Sequence, residues 1–457
     1  MRIPLRGAAA LAAATVAAAL AAVLVAVPSA RDGAACVPGS NGCPHGLAGL
    51  STPAVGSPAP GTPVPSTPAP GTGRTSATSG TGDGTTATPV PTPTSGPPAA
   101  AAAPRTLTAA GRANAVFATM TRAQRIGQLF MVGNDAATVA GSTLTAISTY
   151  HVGNVMLRGR SGAGVAATAR VSAALAARVS HASTDSVRLF IATDQEGGAV
   201  RVLRGPGFDI IPSALTQGTW SPTSLRSSAR QWGTQMRNAG VNLDLAPVLD
   251  TVPSAAAARL NPPIGVYSRE YGYSPGVVSA HGVAFLRGLA DAGVDAAVKH
   301  FPGLGRVTAN TDTTAGVTDH ITTRHDPYLT PFQDAVDAGA AFLMMSTAYY
   351  SKLDPAHPAA FSPTVVTGMV RGDLGFTGVV ISDDLGNAKQ VAAWSPGSRA
   401  VQFIEAGGDM VLTVNTSLLP AMVQAVTAKV GADRTFAAQV DAAVLRILVA
   451  KADRGLI

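Results

Sequence analysis

Three short polar motifs each follow an apolar run and carry side chains that could do chemistry. They are Asp-Gln-Glu-Gly-Gly at 194–198, Lys-His-Phe-Pro-Gly at 299–303 and Ser-Asp-Asp-Leu at 382–385. The lysine and histidine could bind hydroxyl groups or hold a carboxylate ionised, and the paired glycines let the chain turn close to a ligand. Each aspartate could instead cap a following helix. The three motifs together favour one shared binding or catalytic site.

The segments that would position these motifs alternate between short apolar runs and amphipathic stretches of helical period. This pattern is typical of parallel strands covered by helices, and eight such strands predict an α/β fold, a TIM-like (β/α)8 barrel. In that fold the carboxyl ends of all strands open onto one mouth, where the three motifs would converge. The predicted strands span residues 126–133, 152–157, 188–193, 241–247, 295–300, 341–345, 378–382 and 409–414.

Residues 110–455 resemble glycoside hydrolase family 3, in the single-barrel branch that contains bacterial β-N-acetylglucosaminidases. The resemblance rests on Gly-Asn at 133–134, the motif at 194–198, Asn-Leu-Asp-Leu-Ala-Pro-Val-Leu-Asp at 242–250, Arg-Glu-Tyr-Gly at 269–272, Lys-His-Phe-Pro-Gly-Leu-Gly at 299–305, and Gly-Val-Val-Ile-Ser-Asp-Asp-Leu at 378–385. It implies a barrel fold, a carbohydrate substrate, and no metal ion or organic cofactor.

The resemblance also implies roles for individual residues. Asp383 matches the family's nucleophile, a carboxylate that attacks an oxocarbenium-like centre and forms a glycosyl-enzyme, so that configuration is retained. The residues expected to bind the terminal sugar are Asp194, Arg269, Lys299 and His300. Asp244 and Asp250 are weaker candidates for the same role. Glu196 could equally contact the sugar or support residues that do.

The sequence departs from the family pattern where the general acid/base should lie. The family's Asp-Ser-His, four residues after Lys-His-Phe-Pro-Gly-x-Gly, is replaced by Asn-Thr-Asp at 310–312. Asp312 could protonate the leaving group if burial raised its pKa, with Asn310 orienting it, and His320 is a second candidate. Without a replacement acid, the chain would be a slow hydrolase or a sugar-binding protein.

Two further positions depart from the family pattern. Val202 occupies the place of an arginine, and either of its neighbours, Arg201 or Arg204, could bind substrate instead. Thr347 replaces the histidine that commonly follows the sixth strand.

The first thirty residues predict an export segment. Arg2 and Arg6 precede an apolar stretch at 7–27 and then Pro-Ser-Ala at 28–30, which is typical of a signal peptide. The apolar stretch is also long enough for an uncleaved membrane anchor. We therefore expect a signal or anchor at 1–30, which would be the chain's only contact with a membrane.

Residues 31–104 predict a disordered linker that is rich in Pro, Thr, Ser and Gly. It holds 13 prolines in residues 51–104 and cannot bury enough apolar surface to fold. Cys36 and Cys43 could close a disulfide loop in an oxidising compartment, or remain free thiols, and Cys36 weakly resembles a lipidation site. The barrel domain is then expected at 105–457.

Charge and cysteine content exclude several classes of function. The chain of 457 residues has a net charge of +7, of which +5 falls in 105–457, and its basic residues are scattered. Nucleic-acid binding would require them to cluster. Because residues 44–457 contain no cysteine, the barrel can have neither a catalytic thiol nor a Cys-ligated metal site.

We therefore predict an exported retaining exo-β-glycosidase, specifically a β-N-acetylhexosaminidase that removes terminal β-linked GlcNAc from peptidoglycan-derived or other glycans at the envelope or outside the cell. One alternative is a β-glucosidase or β-xylosidase of the same family, although those usually carry a second domain that we do not expect after the eighth strand. The other alternative is a catalytically weak, wall-associated carbohydrate-binding protein. The oligomeric state is left open.

Overall fold

The computed structural model describes residues 107–457, so the predicted signal, linker and cysteine pair lie outside the described residues. Eight parallel strands form one sheet with the spatial order 7-6-5-4-3-2-1-8. A bridge between Ile381 and Met410 joins the two ends of the sheet and closes it into a barrel. The predicted (β/α)8 fold is confirmed. The strands are β1 (Phe130–Asp135), β2 (Asn154–Arg158), β3 (Phe190–Thr193), β4 (Leu243–Asp244), β5 (Asp295–Phe301), β6 (Phe342–Met345), β7 (Val379–Ser382) and β8 (Val411–Thr413).

The first strand begins later than the sequence pattern predicts. Residues 126–128 belong to the helix Arg122–Gln128, which begins with a capping box. In that box the Thr121 hydroxyl accepts from the Gln124 amide and the Gln124 side chain accepts from the Thr121 amide. The capping box stabilises a helix that includes Ile126, and the strand therefore begins only at Phe130.

The fourth strand is shorter than predicted, with only two paired residues. Beyond Asp244 the chain meets β5 through a single bridge between Val248 and Lys299. Pro247 precedes that bridge and has no N–H group to continue the ladder. The peptide bonds Ala246–Pro247, Lys299–His300 and Phe301–Pro302, all near the carboxyl ends of β4 and β5, are cis.

Helices cover the outside of the barrel. The helix Pro222–Asn238 shows why: Ser221 caps its first turn, Pro222 occupies its first position, and its buried residues recur every three or four positions from Leu225 to Met236. The α-helices are Ala109–Thr119, Arg122–Gln128, Gly141–Thr149, Val165–Ala176, His181–Thr184, Ala214–Gln217, Pro222–Asn238, Ala255–Ala258, Pro275–Asp291, Thr330–Asp337, Pro396–Glu405, Leu419–Ala432 and Arg434–Asp453, with a π-helix at Thr364–Asp373.

The loops between the strands and helices contain small sheets and short 3-10 helices. A hairpin pairs Gln195–Gly197 with Val200–Arg201, and a three-stranded sheet joins Thr318–Asp319, Tyr349–Tyr350 and Asp354–Pro358. The 3-10 helices are Gly265–Tyr267, Pro327–Leu329, Ala359–Phe361, Lys389–Val391 and Thr416–Leu418. Among the helices of residues 107–457, none has both the length and the apolar run needed to cross a bilayer.

The barrel core consists of apolar side chains from the strands and from the inner faces of the helices. Phe190 of β3 and Phe342 of β6 meet edge to face, with ring centroids 5.1 Å apart. Because these aromatic and aliphatic side chains fill the interior, the polar chemistry is confined to the carboxyl ends of the strands.

Candidate active site

A cavity of about 320 Å³ opens at the carboxyl ends of the barrel strands. Six of the predicted catalytic or sugar-binding residues line it: Asp194, Arg269, Lys299, His300, Asp312 and Asp383. Arg201, Arg204 and His320 do not. Its walls also carry apolar side chains. The lining consists of Met156, Asp194, Val200, Leu245, Pro263, Arg269, Lys299, His300, Leu304, Asn310, Thr311, Asp312, Met344, Asp383, Asp384, Leu412 and Val414.

Lys299, near the carboxyl end of β5, is held between two carboxylates. Its Nζ lies 2.7 Å from Asp194 Oδ1 and 2.7 Å from Glu196 Oε1. Its side chain is only 3% exposed, and burial favours the neutral amine. The two carboxylates outweigh that effect and raise the pKa of Lys299, so the ammonium stays charged beneath the cavity.

Glu196 also forms a bidentate ion pair with Arg269. Arg269 Nε and Nη2 donate to the two Glu196 oxygens at 2.8 and 2.7 Å, and Arg269 Nη1 donates to the Pro263 carbonyl at 2.7 Å. Burial alone would raise the pKa of Glu196, but the charges of Arg269 and Lys299 prevail and lower it to about 2. Glu196 therefore holds the two cations in place and is absent from the cavity lining.

His300 is oriented by a buried aspartate that follows β4. Asp250 Oδ2 lies 2.7 Å from His300 Nδ1, and Asp250 Oδ1 accepts from the backbone amides of His300 and Leu304 at 3.1 and 2.7 Å. Asp250 is fully buried. This contact leaves Nε2 of His300 as the ring nitrogen available to a ligand in the cavity.

Asp383 and Asp384 follow β7 and have different surroundings. Asp384 accepts hydrogen bonds from the amides of Val414, Gly386 and Asn387 at 3.0, 2.9 and 3.1 Å. Asp383 makes one such contact, accepting from the Asp384 amide at 2.8 Å. The Asp384 carboxylate therefore stabilises the loop after β7, whereas the Asp383 carboxylate has lone pairs available to attack a carbon atom.

Asp312 reaches the same cavity from the loop that follows β5. Asp312 as a residue is exposed at the mouth of the cavity, yet protein atoms lie close enough to desolvate its carboxyl group in part. This partial desolvation raises the pKa of Asp312 to about 6, and the negative charge of Asp383 adds to the rise. A carboxyl group with that pKa can hold a proton near neutral pH and release it when needed.

Asn310 acts on the backbone of the Asp312 loop. Its Oδ1 accepts from the Asp312 amide at 2.8 Å, and its carbonyl accepts from the Thr314 amide at 2.9 Å. Asn310 therefore positions Asp312 by stabilising the turn of the backbone. It makes no hydrogen bond to the Asp312 carboxyl group.

Neither Arg201 nor His320 lines the cavity. Arg201 Nη1 donates to the Asp209 carbonyl at 3.2 Å, and the Arg201 carbonyl accepts from Arg204 Nε. His320 is exposed, and its Nδ1 lies 3.2 Å from Ser351 Oγ beside the small three-stranded sheet. Thr347 is buried, its Oγ1 has no hydrogen-bond partner within residues 107–457, and it does not line the cavity.

Asp244, one of the weaker candidates, lies fully buried behind the motif at 194–198. Its Oδ1 accepts from the Gln195 amide at 2.9 Å, while Oδ2 has no partner among the described residues. Burial raises the pKa of Asp244 to about 8, against the opposing effect of that amide and of Lys299. A neutral carboxyl at this position supports the turn that carries Asp194 and Glu196.

Two buried amides near the cavity escaped prediction. Asn261 bonds to the carbonyls of Leu304 and Val307, and Gln390 bonds to the backbone of Val317. The sequence gives no signal for these contacts, because Leu304, Val307 and Val317 lie more than forty positions from the amides that bind them. No three His, Cys, Asp or Glu side chains within 107–457 are grouped so that they could hold a metal ion.

Comparison with known proteins identifies similar sequences and structures. The sequence-family model described as "Glycosyl hydrolase family 3 N terminal domain" matches residues 121–450. A beta-hexosaminidase from Stenotrophomonas maltophilia (strain K279a) is 33% identical over 252 residues, which cover 52% of this chain and 70% of the relative.

Two solved structures of bacterial proteins are also similar. That of the beta-N-acetylhexosaminidase from Beutenbergia cavernae is 54% identical with a TM-score of 0.72, and the match covers 73% of this chain and 98% of that one. That of a family 3 beta-N-acetylglucosaminidase from Paenibacillus sp. str. FPU-7 is 32% identical with a TM-score of 0.67, covering 74% and 63%.

Proposed function

Because the match over residues 121–450 shows that the chain belongs to glycosyl hydrolase family 3, we propose that it is an exo-acting β-N-acetylhexosaminidase. It hydrolyses terminal β-linked N-acetylglucosamine from glycans. The relatives in S. maltophilia and B. cavernae carry the hexosaminidase name. The observation that carries the proposal is that Asp383 and Asp312 line one cavity together with a buried cluster of ion pairs.

The cluster beneath the cavity suits a terminal sugar. Asp194, Arg269, Lys299 and His300 present both hydrogen-bond donors and acceptors to the cavity, as adjacent sugar hydroxyls require. Glu196 holds Arg269 and Lys299, and Asp250 holds His300. Lys299 in turn binds Asp194, so few side chains need to become ordered when a ligand binds. The cavity volume lies at the low end of the ~300–1,000 Å³ range of small-molecule sites, which fits removal of one terminal unit.

Two of the carboxyl groups that line the cavity, those of Asp383 and Asp312, divide the reaction between them. In the first step an Asp383 oxygen attacks the anomeric carbon, the glycosidic C–O bond breaks, and its oxygen takes the proton of Asp312. In the second step Asp312 removes a proton from water, the water oxygen attacks the same carbon, and Asp383 leaves as a carboxylate. Two inversions retain the configuration.

An activity assay of the full chain tests this function. We expect turnover of a chromogenic β-GlcNAc glycoside and little or none of the β-glucoside or β-xyloside. Asp383→Asn should lower kcat by at least ~10³-fold, because the amide is a poor nucleophile and a carboxylate attack is lost. Proton NMR of the first product should show the β-anomer.

Three outcomes would contradict the proposal. Preference for glucose or xylose would indicate another enzyme of the same family. Binding of GlcNAc without turnover would indicate a carbohydrate-binding protein. An α-anomer as first product would exclude the glycosyl-enzyme.

We also propose that the enzyme is exported and acts on peptidoglycan-derived or related glycans at the envelope or outside the cell. The support comes from the sequence: Arg2 and Arg6, the apolar stretch at 7–27, and the proline-rich composition of 51–104. Such a segment would hold the barrel at a distance from a membrane or wall.

A further inference from the structure

The loop that carries Asp312 is fixed to its surroundings at several points. At its start, Asn261 Nδ2 donates to the carbonyls of Leu304 and Val307, both at 2.8 Å. Asn261 Oδ1 accepts from the amides of Ile264 and Gly265. With all its hydrogen-bonding groups used, Asn261 ties the loop after β5 to the loop after β4.

Arg306 holds the same loop from its outer side. Its guanidinium donates to both oxygens of Asp326, at 2.6 and 3.2 Å, and to Thr322 Oγ1 at 3.1 Å. It also lies over the ring of Tyr328, 3.7 Å from the ring centroid.

The far half of the loop is held by the segment that follows β7. The amides of Lys389 and Gln390 donate to the carbonyls of Asp312 and Thr311 at 3.1 and 3.0 Å. The Gln390 side chain then bonds to both backbone groups of Val317: Oε1 accepts from its amide at 2.9 Å and Nε2 donates to its carbonyl at 3.2 Å. Gln390 is 3% exposed.

The segment that provides this contact also carries the nucleophile. Asp383 lies seven residues before Gln390, and the chain between them is held by Asp384 and by Arg399, which donates to the carbonyls of Leu385 and Gly386 at 2.8 Å each. The loop of Asp312 is therefore anchored to the same hydrogen-bonded segment that carries Asp383.

We propose that Gln390 is a positioning residue that sets the placement of Asp312 relative to Asp383. The proposal rests on the proposed function, in which Asp312 is the acid/base. Retaining glycosidases require a particular separation of their two carboxyl groups, about 5–5.5 Å. A loop anchored to the segment of the nucleophile maintains such a separation without waiting for substrate to order it.

A substitution at Gln390 tests this through leaving-group dependence. Gln390→Met conserves approximate volume and removes both hydrogen bonds to Val317. It should lower kcat/KM for phenyl β-GlcNAc by ~30-fold or more, within the ~10²–10⁴ that a general acid contributes. For 2,4-dinitrophenyl β-GlcNAc, whose leaving group departs without a proton, kcat/KM should change less than about threefold. Gln390→Glu keeps the acceptor for the Val317 amide and should be intermediate.

A matched control is Gln124→Met. Gln124 is also buried, and its side chain also bonds to backbone groups, those of Thr121, His181 and Ala182, but it lies in the helix before β1. This variant should lose stability without changing the ratio of the two kcat/KM values. Equal losses on both substrates in Gln390→Met, or no loss on either, would overturn the positioning role.

Asp312→Asn separates the two proposals. If Asp312 is the acid/base, this variant should show the same leaving-group dependence more strongly, and azide should accelerate it by replacing water in the second step. If Asp312→Asn shows the dependence and Gln390→Met does not, only the positioning role fails. If Asp312→Asn shows none, the acid/base role fails and the Gln390 proposal fails with it.

Discussion

Three carboxyl groups at the site have different pKa values because their surroundings differ. The cations around Glu196 lower its pKa to about 2, partial desolvation and Asp383 raise that of Asp312 to about 6, and full burial raises that of Asp244 to about 8. Glu196 is thus a permanent anion that holds two cations, Asp312 can exchange a proton, and Asp244 is a neutral hydrogen-bonding group at neutral pH. Residue type alone would not distinguish them.

The raised pKa of Asp312 predicts the pH dependence of catalysis. The first step needs protonated Asp312, so kcat/KM for a substrate with a poor leaving group should fall as pH rises through about 6. In Asp312→Asn this alkaline limb should disappear from the remaining activity. The measurement is kcat/KM for phenyl β-GlcNAc from pH 4 to 9; an unchanged limb would assign the acid to another residue.

The lowered pKa of Glu196 links the stability of the folded protein to pH. The folded-state pKa of Glu196 lies below the ordinary value of 4.5, so its ion pairs contribute their full stability above pH 4.5 and lose it as pH falls toward 2. The site cluster therefore resists mild acid, in agreement with a reaction that needs protonated Asp312.

At the scale of elements, the C-terminal helix closes the face of the barrel opposite the cavity. Lys451 of the helix Arg434–Asp453 is fully buried, and its Nζ donates to Gln128 Oε1, the Gly153 carbonyl and the Arg188 carbonyl at 2.8, 2.8 and 3.0 Å. These acceptors lie just before β1, β2 and β3. One side chain thus ties the end of the described chain to the start of three strands.

Removing this contact should cost stability while sparing catalysis. Lys451→Met leaves three buried acceptors without a donor, at about 1–3 kcal/mol each. The loss is partly offset because a buried amino group, whose pKa burial lowers, is no longer desolvated. We expect a net loss of about 2–4 kcal/mol in urea unfolding, with kcat/KM within twofold of the parent.

Lys429→Met is the matched control for that experiment. Lys429 forms a partly exposed ion pair with Glu405, which should contribute only about 0–1 kcal/mol. A loss in Lys451→Met no larger than in this control would show that the buried contact does not stabilise the closed barrel.

At the scale of the whole molecule, one barrel carries all the residues proposed to act on substrate. The family match spans 121–450 and the cavity is lined by residues 156 to 414. The first hundred residues contribute composition typical of export and tethering, and no residue proposed for catalysis. The proposed export signal and the residues proposed for catalysis therefore lie in different parts of the sequence.

Export makes a direct prediction about the mature protein. In the native host we expect the enzyme outside the cytoplasm, with its N-terminus after Ala30 if the segment is cleaved, because a short basic start and a long apolar stretch direct secretion. Cell fractionation and mass spectrometry of the N-terminal peptide measure this. A full-length chain in the membrane fraction would indicate an anchor, and a full-length chain in the cytosol would contradict export.

The sequence by itself determined the barrel and most of the cavity, because both depend on local patterns. Apolar runs alternate with helical periods along the chain, and the carboxyl ends of parallel strands must meet, so Asp194, Lys299, His300 and Asp383 could be grouped without coordinates. The first strand was misplaced by a few residues because a local capping box outweighed an apolar run. Arg269 and Asp312 were implied by the resemblance to glycoside hydrolase family 3.

Only the tertiary structure decided which side chains support the others. Nothing in the spacing places Gln390 beside Val317 or Asn261 beside Leu304, because those contacts join different strand-end loops. Arg201 and His320 were plausible by position, yet their own loops direct them to Asp209 and Ser351, and neither lines the cavity. Strand order follows from local pattern, whereas loop packing depends on the whole barrel having closed.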